Sequence, residues 1–319
     1  MIPYSPPQPV AQLPLIDMKS DMAAEQLRDA CCNVGFFYLS GHGVPRTMLD
    51  AQLEWTRRFF DLPLISREKI SMRTSAARRG YEPVATQVLD EGTPPDLKES
   101  FYLGRDLDER HPYVRAGLHS YGPNQWPQDI PGFREQMEGY FAALCELSED
   151  MMRLLAASLE LPRGYFDAMM REPMPVLRLI HYPPHPDDAR PNQLGAGAHT
   201  DWGALTFLLQ DDAGGLEMQN IAGDWLYAAP LAGSFVVNLG DMIERWTNGL
   251  YRSTMHRVLN RARGRSRYSA AFFSNPDFHS RVECLPTCTD AAHPARYAPC
   301  TAGQHLQESF ERSYSRGMQ

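Results

Sequence analysis

Beyond Pro175 the hydrophobic pattern of the chain changes period. VLRLIHY, ALTFLLQ, LEMQ, FVVNL, HRVLN and RYSAAFF are short β-prone runs separated by Pro, Gly, Asn and Asp. Ahead of that point the pattern is mostly helical. Residues 21–33 carry apolar positions at helical spacing, with Asp21 placed as an N-cap, and a second helix is expected over 46–60. A long third helix is expected from Pro131, in its first turn, to about Leu161, because Phe133, Met137, Phe141, Leu144, Leu147, Met151, Leu154 and Leu155 recur at three- and four-residue steps. GFFYLSGHGV reads as a strand running into a glycine-rich turn, and the proline-rich first dozen residues read as extended surface chain. A helical half followed by many short strands predicts an α+β chain whose second half is a barrel or sandwich.

For such a core 319 residues in one domain is ordinary, with 43% hydrophobic and 22% charged residues in the range of a soluble globular protein. The net charge of −8 and pI near 5.7 argue against nucleic acid as a partner and give no reason to invoke an anionic membrane surface. No window approaches the roughly 18 apolar residues of a membrane span, and the N-terminus has no basic start or apolar h-region of a secretory signal. Cys31, Cys32, Cys145, Cys284, Cys288 and Cys300 are irregularly spaced, which suits reduced thiols in a cytoplasmic protein. Cys284, Cys288 and Cys300 lack a matching fourth ligand for a second metal site.

The strand-rich half carries five polar residues in a telling order: His199 and Asp201, then His256, then Arg267 and Ser269. Residues i and i+2 of extended chain share a face, so His199 and Asp201 can reach one ion while Thr200 points away. With His256 from a neighbouring segment they make a 2-His-1-carboxylate set, which leaves coordination positions open, as in non-haem Fe(II) oxygenases. His181 and His185 flank a proline-rich turn and are the competing ligands. Arg267 and Ser269 repeat the i, i+2 geometry with Tyr268 facing away; a guanidinium grips a carboxylate through two parallel hydrogen bonds and the hydroxyl adds a third. Tyr182 is placed to add another hydroxyl.

This order resembles the 2-oxoglutarate/Fe(II)-dependent dioxygenase superfamily, in the branch that includes isopenicillin N synthase. LPLIDM, GFFYLSGHGV, RRGYEP, LKESFYLG, GPNQWP and VVNLGDMIERWTNGLYRSTMHRV all resemble that branch, so the likeness spans nearly the whole chain. The resemblance implies a double-stranded β-helix (jelly-roll) core with N-terminal and flanking helices. It implies one oxygenase domain over 1–319: a mainly helical part to 175, the core over 176–280, and a C-terminal extension over 281–319. It also implies iron ligands at His199, Asp201 and His256, and a carboxylate clamp at Arg267 and Ser269 with Tyr182 beside it. Many relatives that use 2-oxoglutarate carry Asn two residues before this Tyr, where this chain has Ile180.

The expected cofactors are Fe(II), dioxygen and 2-oxoglutarate, the last decarboxylated oxidatively to succinate. An isopenicillin N synthase-type oxidase, which uses no 2-oxoglutarate and grips its substrate with the Arg-Ser pair, is the alternative, as is breakdown of 2-oxoglutarate to ethylene. A non-catalytic barrel binding a small acid, or a hydrolytic zinc enzyme, stands further off; the latter has no use for the clamp. The substrate is expected to be a small amino-acid-like or acidic metabolite. Phe273 continues the Arg267, Ser269, Ala271 face toward the iron. Arg78, Arg79 and Tyr81 occupy a segment that contacts substrate in relatives, with Arg78 or Arg79 expected to meet an anionic group.

Overall fold

A computed structural model describes residues 2–8, 13–118, 120–262 and 264–315. The N-terminal part contains β1 (Leu15–Asp17), α1 (Ala23–Asn33), β2 (Phe36–Ser40), α2 (Arg46–Phe60), α3 (Leu64–Glu68), β3 (Gly80–Glu82), β4 (Glu99–Gly104), α4 (Pro112–Arg115) and α5 (Phe133–Ser158). Then come β5 (Val176–Tyr182), β6 (Ala196–His199), β7 (Leu205–Gln210), β8 (Leu216–Gln219), β9 (Trp225–Ala228), β10 (Phe235–Leu239), α6 (Asp241–Trp246), β11 (His256–Val258) and β12 (Arg267–Ser274). The chain closes with β13 (Arg281–Val282), β14 (Cys300–Thr301) and α7 (Ala302–Ser315).

The expected helices form, with different starts. Ser20 Oγ accepts from the Met22 amide, so α1 begins at Ala23 behind Met22, and Asp21 is not its cap. α5 begins at Phe133 because Gly132 adopts the left-handed region (φ 83°), which leaves Pro131 outside the helix. A side chain at 132 would also crowd the Trp55 ring, 3.1 Å from its Cβ. From there α5 buries Met137, Tyr140, Leu144, Leu147, Met151 and Leu155 as one stripe.

The strands form two sheets. The larger has the order β1-β2-β10-β7-β12-β5-β4-β3, and the smaller β6-β11-β8-β9 is antiparallel throughout. Strand alternation divides the core in two. Phe37, Leu39, Leu177, Leu179, Phe207, Val237, Ala270 and Phe272 face α1, α2 and α5, whereas Phe36, Tyr38, Ile180, Tyr182, Val236 and Ala271 face Ala196, Leu216, Met218 and Val258 of the smaller sheet. This is the jelly roll with flanking helices that the sequence resemblance implied.

The part before Pro175 is less purely helical than expected, since it supplies β1 to β4, half of the larger sheet. In LKESFYLG the residues Phe101 and Leu103 pack under the helices, while Ser100 and Tyr102 face the interior between the sheets, where they meet Arg178. A polar inner face hides the strand from a hydrophobicity pattern. The GPNQWP segment braces this edge: Asn124 donates to Gly104 O (2.8 Å) and accepts from its amide (2.9 Å), and Gln125 donates to Arg79 O (2.6 Å).

The proline-rich N-terminus runs along the smaller sheet, with Gln8 donating to Trp225 O and Tyr4 under the Arg257 guanidinium; residues 1 and 9–12 lie outside the described residues. Arg257 there pairs with Glu217 at 2.8 Å, both almost fully buried. Removing one partner of such a pair strands the other charge, so Glu217→Ala is expected to cost about 3–5 kcal/mol of stability. A urea titration should show a lower midpoint at unchanged slope. No helix of the described residues is long and apolar enough to cross a membrane.

Candidate active site

Antiparallel pairing of β6 and β11 sets His256 directly opposite His199, with ring centroids 4.2 Å apart. Asp201 follows in the turn after β6, where its carbonyl accepts from the Asp241 amide at 2.8 Å. Its Oδ1 lies 3.8 Å from His199 Nε2 and 3.7 Å from His256 Nε2. The three ligand atoms fall within 4.8 Å of one another, the only such group of His, Cys, Asp or Glu among the described residues.

The surrounding bonds orient all three side chains toward one point. His199 Nδ1 donates to Gly197 O (2.7 Å) and His256 Nδ1 to Thr254 O (3.1 Å), which leaves both Nε2 lone pairs facing inward. Asp201 Oδ2 accepts from Thr206 Oγ1 (2.6 Å) and Asn238 Nδ2 (2.7 Å), so Oδ1 faces the imidazoles. This donor set fits Fe(II), with one face of an octahedron filled and the other open. His181 is not a ligand: it is held by Glu99 (2.7 Å) and Ser266 (2.8 Å) on the outer face of the sheet, stacked on Tyr268. The six cysteines are free, and Cys284, Cys288 and Cys300 form no such group.

Burial, reinforced by neighbouring His256, pushes the pKa of His199 down to about 3. Burial opposes ionisation of Asp201, but His256, His199, Asn238 and Thr206 outweigh it and hold the carboxyl below its ordinary value. The neutral imidazole is thus ready to ligate at neutral pH without first losing a proton. The unfolded chain takes up a proton at His199 below its ordinary 6.5, which the folded chain refuses until about 3. Stability of the metal-free protein should therefore be full above that upper value and fall as pH drops through the window. Melting temperatures of metal-free protein from pH 7.5 to 5 should show this, with a shallower slope in His199→Ala.

A cavity of about 60 Å³ runs from the triad to Arg267 between apolar walls of Ile180, Leu208, Leu216, Val258 and Ala271. Arg267 is fully buried, and its three hydrogen bonds go to neutral oxygens: Gly214 O (2.5 Å), Ser269 Oγ (3.3 Å) and Gln210 Oε1 (3.3 Å). A buried guanidinium bonded only to neutral oxygens fits the far carboxylate of 2-oxoglutarate. Ser269 touches Arg267 without itself lining the cavity. Tyr182 lies under the guanidinium, 4.6 Å from ring centre to Cζ, and the Gly195 position must stay bare because a Cβ there would come within 2.7 Å of that ring.

A second chamber of about 150 Å³ opens on the other side of His199 and Asp201. Phe273 lines both spaces, and Arg78 and Arg79 line the chamber. Arg79 is committed to Ser120 O (2.6 Å), and burial lowers its pKa to about 10; Arg78 lies over the Phe310 ring at 3.5 Å. Thr200 is also among the residues lining the chamber, with its hydroxyl directed to the Asp241 carboxylate. Tyr81 does not reach it. Its hydroxyl meets Glu99 (2.5 Å) on the helix side of the sheet, because β3 sets Tyr81 opposite Phe101.

Other walls were not singled out from sequence: Arg178, Gln87 and Tyr102, and from the C-terminal helix Leu306 and Phe310. Arg178 had a signal, a lone arginine in an apolar strand run on the face of Ile180 and Tyr182. Its guanidinium donates to Ser100 Oγ (2.9 Å), Gln87 Oε1 (3.1 Å) and Glu82 Oε2 (3.2 Å).

Residues 173–276 match the family model of the 2OG-Fe(II) oxygenase superfamily, and residues 11–129 match that of the N-terminal region of non-haem dioxygenase in morphine synthesis. The 2-oxoglutarate-Fe(II) type oxidoreductase hxnY of Emericella nidulans is 39% identical over 92% of this chain and 85% of its own length. A homoarginine-6-hydroxylase of Glycine max is 37% identical over 88% of this chain and 86% of its own. A full-length Neurospora crassa protein, solved in complex with alpha-KG (2-oxoglutarate) and thymine, superposes with a TM-score of 0.83 at 28% identity, covering 94% of this chain and 96% of its own. With a metal-ready triad, a buried arginine beside it and relatives of this kind, the chain belongs to the 2-oxoglutarate/Fe(II)-dependent oxygenase superfamily and is an Fe(II)-dependent oxidoreductase that uses 2-oxoglutarate and dioxygen.

Proposed function

We propose that this oxygenase acts on a small, single-ring molecule bearing a carboxylate or an equivalent oxygen acceptor. His199, Asp201 and His256 are the iron ligands in this reading, Arg267 with Ser269 and Tyr182 holds 2-oxoglutarate, and residues 1–319 work as one oxygenase domain. Bound Fe(II) supplies the activation of dioxygen that couples decarboxylation of 2-oxoglutarate to oxidation of the second substrate. The apolar walls keep water from that chemistry, and the chamber positions the substrate beside the open face of the triad.

The observation that carries the substrate class is the charge of the chamber. Its walls include Arg78, Arg79 and Arg178 among Met72, Leu89, Val176, Phe273, Leu306 and Phe310, and Asp201, a ligand, is the one carboxylate lining it among the described residues. A cationic substrate, such as the relative named homoarginine-6-hydroxylase takes, would find no counter-ion there. A space of about 150 Å³ is of the size that accepts one benzene ring, and the thymine held by the Neurospora crassa protein is also a single ring. The free cysteines and acidic charge fit a cytoplasmic setting.

The test is succinate production by the iron-loaded enzyme across matched one-ring carboxylates, neutral carbonyl compounds, amines and guanidines. Stimulation by the acids or carbonyl compounds supports the reading. Stimulation confined to the cationic series sinks it.

A further inference from the structure

We infer that Lys98 is a second cationic contact for 2-oxoglutarate, facing the place where Ile180 stands instead of a side-chain amide. The inference rests on the 2-oxoglutarate dependence stated above and adds a binding residue to that site. Lys98 immediately precedes β4 and continues the inward row of Ser100 and Tyr102, so its side chain enters the same cavity as the triad, Ile180, Tyr182 and Arg267.

Three observations converge on this residue. First, its side chain is only 3% exposed, and its ammonium bonds to Asp96. An ammonium has three donors, and one carboxylate contact leaves capacity for another acceptor in the cavity. Secondly, Asp96 is itself fixed by the Gly197 amide at 2.9 Å, two residues before His199, which ties the lysine to the metal end of the cavity. Thirdly, of the other side-chain donors lining the cavity, Thr206 and Asn238 are engaged by Asp201 and Arg178 by Ser100, Gln87 and Glu82, while Leu208, Leu216, Val258 and Ala271 offer none.

The charges also balance better with Lys98 in this role. The co-substrate is a dianion entering a cavity that already holds the Asp201 carboxylate. Arg267 answers one carboxylate. The Lys98 ammonium, shared with Asp96, adds a further cationic donor to those of Arg267 and Arg178 in the same lining, which lowers the electrostatic penalty of confining the other. A lysine kept only to hold Asp96 would have no need to line the cavity.

The experiment is anaerobic calorimetric titration of full-length, Fe(II)-loaded protein with 2-oxoglutarate, with iron affinity and thermal unfolding measured alongside. Lys98→Met is expected to raise the 2-oxoglutarate Kd by about tenfold or more, equivalent to ~1.4 kcal/mol, while iron affinity stays within about twofold of the parent. A Kd unchanged in Lys98→Met overturns the inference. Should Lys98→Met lose iron or fail to fold, Lys98→Gln retains a donor for Asp96 and removes the charge; an unchanged Kd there overturns it equally. Loss of iron in both variants assigns Lys98 to the support of β6 and also overturns it. Failure of the parent protein to bind 2-oxoglutarate would instead reject the co-substrate assignment on which this rests.

Discussion

Asp201→Ala is expected to purify without iron and to show no 2-oxoglutarate turnover. The carboxylate supplies the one anionic ligand of the set, and its Oδ1 stands between two imidazole nitrogens at 3.7 and 3.8 Å. Without it, only the two imidazoles remain, and the donors Thr206 and Asn238 lose the buried acceptor they share. Loss of a supporting partner alone typically lowers metal affinity about 10–100-fold, which is the effect expected of Asn238→Ala. Loss of the ligand itself should exceed that upper figure. Iron per chain after anaerobic gel filtration is the measurement; parent-like iron content with parent-like turnover would reject Asp201 as a ligand.

Arg267→Ala should leave iron in place and weaken 2-oxoglutarate binding by about 2–5 kcal/mol, the range for truncating one partner of a buried charge pair. That corresponds to roughly 30-fold to several thousandfold in Kd. The physical basis is the complete burial of the guanidinium together with its three neutral hydrogen-bond partners. Anaerobic titration of the Fe(II) protein, followed by the visible charge-transfer band of a chelated keto acid, reads the loss directly. A variant whose 2-oxoglutarate dependence matches the parent would remove Arg267 from the clamp. The two substitutions separate the ends of the site: one abolishes the metal, the other only the anchor of the co-substrate.

The metal set was legible because the chemistry is encoded locally. His199 and Asp201 lie two residues apart where a strand passes into a turn, and Arg267 and Ser269 lie two apart on β12, so strand parity alone brings each pair to one side. The same parity argument reaches its limit at residues 200 and 201, which lie past the end of β6. It also gave no way to tell which face of the short β3 looks inward, and Tyr81 proved to face the helices. The N-terminal strands were under-read for a related reason. In β4 the inward residues are polar, Tyr102 lining the chamber and Ser100 holding Arg178, so the strand lacks the apolar inner face by which strands are recognised.

By itself the sequence determined the His-Asp-His donor set, the pairing of Arg267 with Ser269 and the class of fold, since each depends on residues close together in the chain and on the period of their side chains. The tertiary structure alone decided what the site will admit. The walls of the two cavities join Arg178 and Phe273 from two strands, and Lys98 from just before a third, with Leu306 and Phe310 from α7. Their proximity follows from the packing of sheet against sheet and of the C-terminal helix over the opening, contacts between segments far apart in sequence that no local spacing records.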